Sequence, residues 1–382
     1  MGDILKVAHL QLLPLVTGVQ RVTLDELERL DTDRFTPYII CKESGPLTDE
    51  AESKAITCLR SNNLVREISP KRDLLAFWEL YRMFRQHRFD VVHSHSSKTG
   101  VIGRLAAKLA GVPMVVHTVH GFAFPAAKNN IEKFIFFAME WLGTKCSDKI
   151  VCLHDADRAI AKNQLGAKDY QLEVLANGVD TTKYAPATSE VKLAMRKELG
   201  IPEDTVIVGM VGRLWKQKNP QAFVDAALRL LSTNVNAHFV LVGDGELKTA
   251  LEEQVNQAGF SDNVHFLGWR NDTPQLLKSF DIFVLPSLWE GMPLAILEAQ
   301  STGLPCVVSN IQGNNHLVTD GVDGFLFDLD EPEKLSSSIS QLIEDKELRD
   351  QLGRCGRAKI LKNHNIDERT NNIATLYHAR AK

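Results

Sequence analysis

Val284-Leu-Pro-Ser-Leu-Trp-Glu290-Gly-Met-Pro-Leu-Ala-Ile-Leu-Glu298-Ala299 reads as a strand, a loop and a helix in close succession. The apolar run stops at Pro286, the loop exposes Glu290, and a helix is expected to open near Met292 with Glu298 one to two turns in. Amide groups at a helix start favour anions, whereas carboxylates accept hydrogen bonds from hydroxyls. A ligand that carries both phosphate and hydroxyls suits this loop. The plain alternative is a capped helix bearing two solvated acids.

Outward from this stretch the strand-then-helix unit repeats along the whole chain, which is the pattern of a parallel sheet covered by helices. In the first half strands are expected at 5–10, 36–41, 91–94, 114–119 and 149–153, with helices over 19–30, 73–86 and 100–110. The turn-rich segment from Leu175 to Pro186 fits a linker. Strands then resume at 206–211, 238–242, 264–267, 282–286 and 306–309, with helices such as 221–231 and 247–258 between them. The expected fold class is therefore α/β, with two Rossmann-like units that bind ligands at the carboxyl ends of their strands and that, facing one another, enclose a cleft.

A chain of 382 residues with 44% hydrophobic content has room for two such domains. No apolar run is long enough for a membrane-spanning helix, and Asp3 and Lys6 interrupt the N-terminus where a signal peptide needs an apolar core, so a cytoplasmic location is expected. The six cysteines form no CxxC pair and read as reduced structural thiols. A net charge of −4 argues against a general nucleic-acid binder. Even so, bases outnumber acids between Arg66 and Lys108, so this region can meet an anionic ligand or surface. Phe77, Trp78, Tyr81 and Phe84, like Phe134, Phe136, Phe137 and Trp141, recur at helical spacing; core packing is the expectation, and a membrane-surface helix the alternative.

Three further stretches carry chemistry. Val208-Gly-Met-Val-Gly-Arg213-Leu-Trp-Lys-Gln-Lys218-Asn-Pro220 brings a planar guanidinium and a point charge to a helix start, a pairing suited to a diphosphate that gains charge as its sugar leaves. Thr17-Gly18-Val19-Gln20-Arg21 follows the first strand, and Gly18 lets backbone come close to a ligand. Asp90-Val-Val-His-Ser-His-Ser-Ser-Lys-Thr-Gly100 and Val115-Val-His-Thr-Val-His-Gly-Phe-Ala-Phe124 place His93, His95, His117 and His120 at or just beyond strands. Without a carboxylate at ligand spacing, no metal site is assigned to them. His93 and His117 are expected to be buried. Two decoys are set aside: Val242-Gly-Asp-Gly-Glu-Leu-Lys248 lacks the third glycine of a dinucleotide fingerprint, and the DxD triplets at Asp155 and Asp328 have no supporting context.

The spacing Glu290-x7-Glu298 within Pro-Ser-x-x-Glu-Gly-x-Pro-Leu resembles the hallmark of the retaining glycosyltransferases of family 4, which have the GT-B fold, and the resemblance extends over nearly the whole chain. It implies a donor site in which Glu298 holds the ribose hydroxyls, Glu290 the transferred sugar, and Arg213 and Lys218 the diphosphate. Gly18, Gly291, Met292, Pro293 and Leu294 complete that site; Pro293 stands where many relatives have glycine and has no NH to donate. His120 falls where the family places an active-site histidine near the sugar. Gln20, His95, Ser96 and Lys98 are assigned to the acceptor, with simple loop packing the alternative for the last three.

The resemblance also implies an acceptor-binding domain over 1–180, a donor-binding domain over 181–365 and a final helix, 366–382, that returns to the first domain. The substrates implied are a nucleoside-diphosphate sugar, with UDP favoured, and a polyprenyl-diphosphate-linked glycan of bacterial surface polysaccharide synthesis. No cofactor and no metal are expected. Peripheral contact with an anionic membrane surface follows from the basic region and the acceptor type. A nucleotide-sugar epimerase of the same fold and a non-catalytic sugar-binding protein are the rival readings; the four charged donor-site residues argue against the second.

Overall fold

The computed structural model describes residues 4–65, 67, 69–122, 124 and 129–379. Two compact units divide the chain: Met1–Asn177 together with Ile366–Lys382, and Gly178–Asn365. Among the described residues the first unit carries a seven-stranded parallel sheet. Its strands are β1 (Leu5–Leu10), β2 (Phe35–Cys41), β3 (Thr57–Arg60), β4 (Val91–Ser94), β5 (Met114–Val119), β6 (Lys149–Cys152) and β7 (Leu172–Val174), in the order β3-β2-β1-β4-β5-β6-β7. Helices α1 (Gly18–Glu28), α2 (Pro46–Ser53), α3 (Pro70–His87), α4 (Ser97–Ala110), α5 (Asn130–Cys146) and α6 (Asp155–Asn163) connect them.

The inner strands are mostly apolar and largely buried because both faces of the sheet are covered, although β1, β4 and β5 carry histidines. Alternation sends neighbouring side chains to opposite cores. Val7, Ile39, Val91 and Val116 pack with Leu24 and Leu27 of α1, while Ala8, Ile40, Val92 and Val115 pack with Leu80 and Phe84 of α3 and Ala106 of α4. Truncating any one of these large side chains to alanine costs about 2–5 kcal/mol.

The second unit repeats the plan. Helix α7 (Ser189–Glu198) precedes β8 (Val206–Val211), α8 (Pro220–Leu231), β9 (Ala237–Val242), α9 (Lys248–Gln257), β10 (Val264–Phe266), α10 (Thr273–Ser279), β11 (Ile282–Leu285), α11 (Leu294–Ser301), β12 (Cys306–Ser309), α12 (Gln312–Asn315), β13 (Gly324–Phe327), α13 (Pro332–Glu344) and α14 (Lys346–Asn363). Its sheet order is β10-β9-β8-β11-β12-β13. Helix α15 (Ile366–His378) then joins the first unit, where Ile373, Leu376 and Tyr377 enter the core beside α1. Arg369 of α15 donates to Glu26 Oε1 at 2.5 Å and to the carbonyls of Leu175 and Ala176 at 2.5 and 2.7 Å, closing the start of the interdomain segment against this helix.

Three strands, β3, β7 and β13, fall outside the sequence expectation, and each is an edge strand. Edges are short and carry polar residues, such as Thr57 and Arg60, so they lack the unbroken apolar run that marks an inner strand. The helix expected to open near Met292 begins at Leu294, after Pro293, because proline is disfavoured within a helix but well suited to its start.

The aromatic residues also depart from a pure core reading. Phe84 is buried, but Trp78, Phe134 and Trp141 are 49%, 69% and 46% exposed. Helical spacing marked the stripe and left open whether protein covers it.

Candidate functional site

In each sheet the direction of winding reverses once, between β1 and β4 in the first unit and between β8 and β11 in the second. Side chains just beyond the carboxyl ends of those strands line the crevice where such sheets bind ligands. The residues singled out by sequence gather at these two places.

In the second unit β11 ends at Leu285, and Glu290 turns back with a side chain only 7% exposed. Its Oε1 accepts hydrogen bonds from Lys218 Nζ at 2.5 Å and Ser287 Oγ at 2.7 Å. Lys218 reaches it from the 3₁₀ turn Lys216–Lys218, which ends at Asn219 in the left-handed region (φ 51°) before Pro220 starts α8. Asparagine tolerates that conformation and proline suits the first helical position. Lys218 and Glu290 therefore come together directly.

Gln217 locks the two loops to each other. Its carbonyl accepts from the Leu288 amide at 2.8 Å, and its Nε2 donates to the Trp289 carbonyl at 3.0 Å. Below them Ser309 Oγ donates to the Ser287 carbonyl at 2.5 Å, and Asn314 Nδ2 donates to Ser309 Oγ at 3.0 Å. Gly313 packs so close that a Cβ there would lie 2.6 Å from the Glu290 carbonyl. Sequence reasoning assigned no role to Gln217, Ser287, Ser309, Gly313 and Asn314; Gln217 lay between the two lysines and Ser287 within the glutamate motif, and the others carried no local signal.

Arg213 is exposed and lies flat on Trp215, its guanidinium carbon 3.5 Å from the ring centroid. Gly243 and Gly245 of the fingerprint-like turn pack against the same loop: a Cβ on Gly243 would meet the Gly212 carbonyl at 2.0 Å, and one on Gly245 the Leu214 carbonyl at 2.4 Å. These glycines thus serve close backbone packing. Met292 and Pro293 are buried, Gly291 and Leu294 are partly exposed, and Glu298 lies partly exposed in the second turn of α11.

In the first unit Gly18 opens α1 in open space, with nothing within 4 Å of a Cβ built on it. Gln20 is largely buried, bonded to Thr17 Oγ1 and donating to Gln11 Oε1 at 3.3 Å. Two residues assigned to the acceptor have partners within the protein itself. His95 is 2% exposed and points inward, its Nε2 2.9 Å from His9 Nδ1 and its Nδ1 3.2 Å from His120 Nε2. Lys98 pairs with Asp73 at 2.6 Å and donates to the Val65 carbonyl at 3.1 Å and to that of Glu67, so it braces α4 against the start of α3. Lys98 lies in the first turn of α4, and His95 precedes its N-cap residue, Ser96. Ser96 occupies the N-cap position of α4, where its hydroxyl bonds to that of Thr99 and not to a helix amide.

His93 is fully buried and His117 is 3% exposed, the latter with Nδ1 2.9 Å from Ser94 Oγ. Burial, followed by the positive charge of Arg369, pushes His9 and His120 down to about 3. Burial and the neighbouring rings hold His93 and His95 well below the usual histidine range. These imidazoles are neutral at pH 7. His9, which the sequence reading did not select, joins them from β1.

Comparison with known proteins places the chain among sugar-transferring enzymes. Residues 191–359 match the family described as Glycosyl transferases group 1, and residues 16–183 match Glycosyltransferase Family 4. An Escherichia coli protein named UDP-Gal:alpha-D-GlcNAc-diphosphoundecaprenol alpha-1,3-galactosyltransferase is 45% identical over 98% of this chain and 96% of its own. The N,N'-diacetylbacillosaminyl-diphospho-undecaprenol alpha-1,3-N-acetylgalactosaminyltransferase of Campylobacter jejuni is 31% identical over 74% of this chain and 75% of its own. The Anabaena protein HepE, solved with UDP and glucose, superposes with a TM-score of 0.82 at 22% identity, covering 97% of this chain and 99% of that one, and shares the GT-B fold.

Proposed function

Since the chain belongs to the family 4 glycosyltransferases, we propose that it moves a sugar, with retained configuration, from a UDP-sugar to a hydroxyl of a lipid-diphosphate-linked glycan in bacterial surface polysaccharide synthesis. The observation that carries this reading is the 45% identity over nearly the full length to an enzyme named for UDP-galactose and a diphosphoundecaprenol-linked acceptor. UDP-galactose is accordingly the first donor to test.

In this reading the second unit holds the donor. Lys218 and Arg213 face the diphosphate, where charge grows as the glycosidic bond breaks, and Glu298 accepts from the ribose hydroxyls. Glu290, already aligned by Ser287 and Lys218, orients the transferred sugar. The Lys218 ammonium has three donors, so it can keep Glu290 and gain a phosphate oxygen at once. Within the first unit Gly18 and the start of α1 meet the donor phosphate, His120 meets the sugar, and Gln20 and Ser96 border the acceptor. The acceptor hydroxyl attacks the face from which the diphosphate departs, and a phosphate oxygen takes its proton. Two protein cations offset the leaving charge, so no metal is required.

Peripheral contact with an anionic membrane surface is assigned to α3 and α5, which flank α4. Helix α5 exposes Ile131, Phe134, Ile135, Trp141 and Leu142, and α3 exposes Leu74, Leu75 and Trp78 beside Lys71, Arg72, Arg82 and Arg85. Apolar residues rimmed by bases suit a headgroup boundary. No described helix is long and apolar enough to cross a membrane. Arg66 of the basic region lies outside the described residues.

The deciding experiment offers UDP- and GDP-sugars with and without a GlcNAc-diphospholipid and measures nucleotide release and glycolipid product. UDP-galactose should give product only with the lipid acceptor, and turnover should persist in EDTA. Epimerised donor without acceptor, release from GDP-sugars alone, or recovery only with added manganese would each overturn a stated part of the reading.

A further inference from the structure

Five hydrogen bonds join six side chains in a single line through the first unit. Thr118 Oγ1 lies 2.7 Å from His93 Nε2, and His93 Nδ1 lies 2.6 Å from the Tyr377 hydroxyl. That hydroxyl is 2.9 Å from His9 Nε2; His9 Nδ1 is 2.9 Å from His95 Nε2, and His95 Nδ1 is 3.2 Å from His120 Nε2. Tyr377, His9 and His93 are no more than 1% exposed. Each interior member uses both of its polar positions within the line.

We propose that Tyr377 is a positioning residue that couples the tautomer of His120 to that of His93, acting through His9 and His95 across the winding reversal between β1 and β4. The proposal rests on the reading of His120 as the group that meets the transferred sugar.

Proton bookkeeping leaves two arrangements. A neutral imidazole has one N–H and one bare nitrogen, so every ring in the line must donate on one side and accept on the other. If the Tyr377 hydroxyl donates to His93 Nδ1, it accepts from His9 Nε2; His9 Nδ1 then accepts from His95, and His95 Nδ1 accepts from His120 Nε2. His120 in that case presents a bare Nδ1. If Tyr377 donates to His9 instead, every proton reverses and His120 presents Nδ1–H. In either arrangement the hydroxyl carries a single direction between His9 and His93, and it comes from the C-terminal helix, far along the chain from the strands it serves.

A cation site is the competing use of these residues, because suitable ring nitrogens of His9, His93 and His95 lie within 4.8 Å of one another. A bound cation would have to take nitrogens already engaged in the line, without a carboxylate among the three ligands. Arg369 adds positive charge that acts on His9 and His93.

The test uses the full chain with ¹⁵N-labelled histidine, His120 being assigned by comparison with His120→Asn. Wild type should show His120 in one tautomer. Tyr377→Phe keeps the ring against Phe35 but removes the hydroxyl; His120 should shift to the other tautomer or a mixture, and kcat should fall about tenfold or more, as expected for a misdirected imidazole, with KM for the donor sugar unchanged. Thr118→Val, at the far end of the line, should move the same signals, and Thr118→Ser should restore them. An unchanged His120 tautomer in both Tyr377→Phe and Thr118→Val would overturn the proposal, as would stoichiometric binding of zinc alone that shifts His9, His93 and His95. A changed tautomer with unchanged kcat would support the coupling and remove His120 from the sugar site.

Discussion

Glu290 and Glu298 accept different parts of the donor in the proposed reaction, and their surroundings differ accordingly. Glu290 is held at 7% exposure by Lys218 and Ser287, whereas Glu298 lies partly exposed on α11. A contact that strengthens as the sugar gains positive charge acts on kcat, and one that is equal in ground and transition states acts on KM. Glu290→Gln should lower kcat by about 10²-fold, the scale of one preorganised electrostatic contact. Glu298→Gln should chiefly raise KM for the donor. Wild-type kcat in Glu290→Gln, with Glu298→Gln inactive at saturating donor, would reverse the assignment. Charged residues in a short motif were legible because their spacing survives in one stretch of sequence. Gln217, Gly313, His9 and Tyr377 were not, because each matters through a partner that only folding brings near.

At the level of elements, the Glu290 loop is shaped by a neighbour, the start of α12. A side chain at Gly313 would press on the Glu290 carbonyl, and backbone cannot swing aside as a long side chain can. Gly313→Ala should therefore depress kcat toward the level of Glu290→Gln, with a stability loss of about 1–3 kcal/mol typical of overpacking. Full activity in a folded Gly313→Ala protein would show that the loop has slack. Helix α5 carries the second test. Phe134→Ser with Trp141→Ser removes exposed apolar surface and no described core contact of the sheet, so fold and turnover of a soluble acceptor should persist while flotation with anionic liposomes falls. Flotation of the native protein should weaken as salt rises. Salt-insensitive flotation, or none, would remove the membrane assignment. Helices α3 and α5 were visible as amphipathic runs, but periodicity reports one apolar face and is silent on what covers it.

For the whole molecule, the alternation of strands and helices made two parallel α/β sheets legible, while the edge strands and the return of α15 depended on contacts between distant segments. One consequence of that assembly is acid sensitivity. The first unit buries His9, His93, His95, His117 and His120 as neutral rings, with His9 and His120 pushed down to about 3 and the others well below their ordinary value. Above an unfolded-state pKa of about 6.5 both folded and unfolded chains leave these rings neutral, so stability is at its full value. As pH falls from there toward 3 the unfolded chain takes up protons that the folded unit refuses, and each ring lowers stability by up to about 1.4 kcal/mol per pH unit. Asp157, raised to about 7 by burial, acts in the opposite sense: the folded state holds its proton where the unfolded chain has lost it, so its contribution falls as pH rises toward 7. Glu26, also raised by burial, acts in the same sense as Asp157, and five rings against these two carboxyls should dominate. The melting temperature should drop between pH 7.5 and pH 5, and His9→Gln, whatever its effect at pH 7.5, should shallow the slope by the share of one ring. A melting temperature unchanged across that interval would mean that the folded unit takes up protons on these rings as readily as the unfolded chain does.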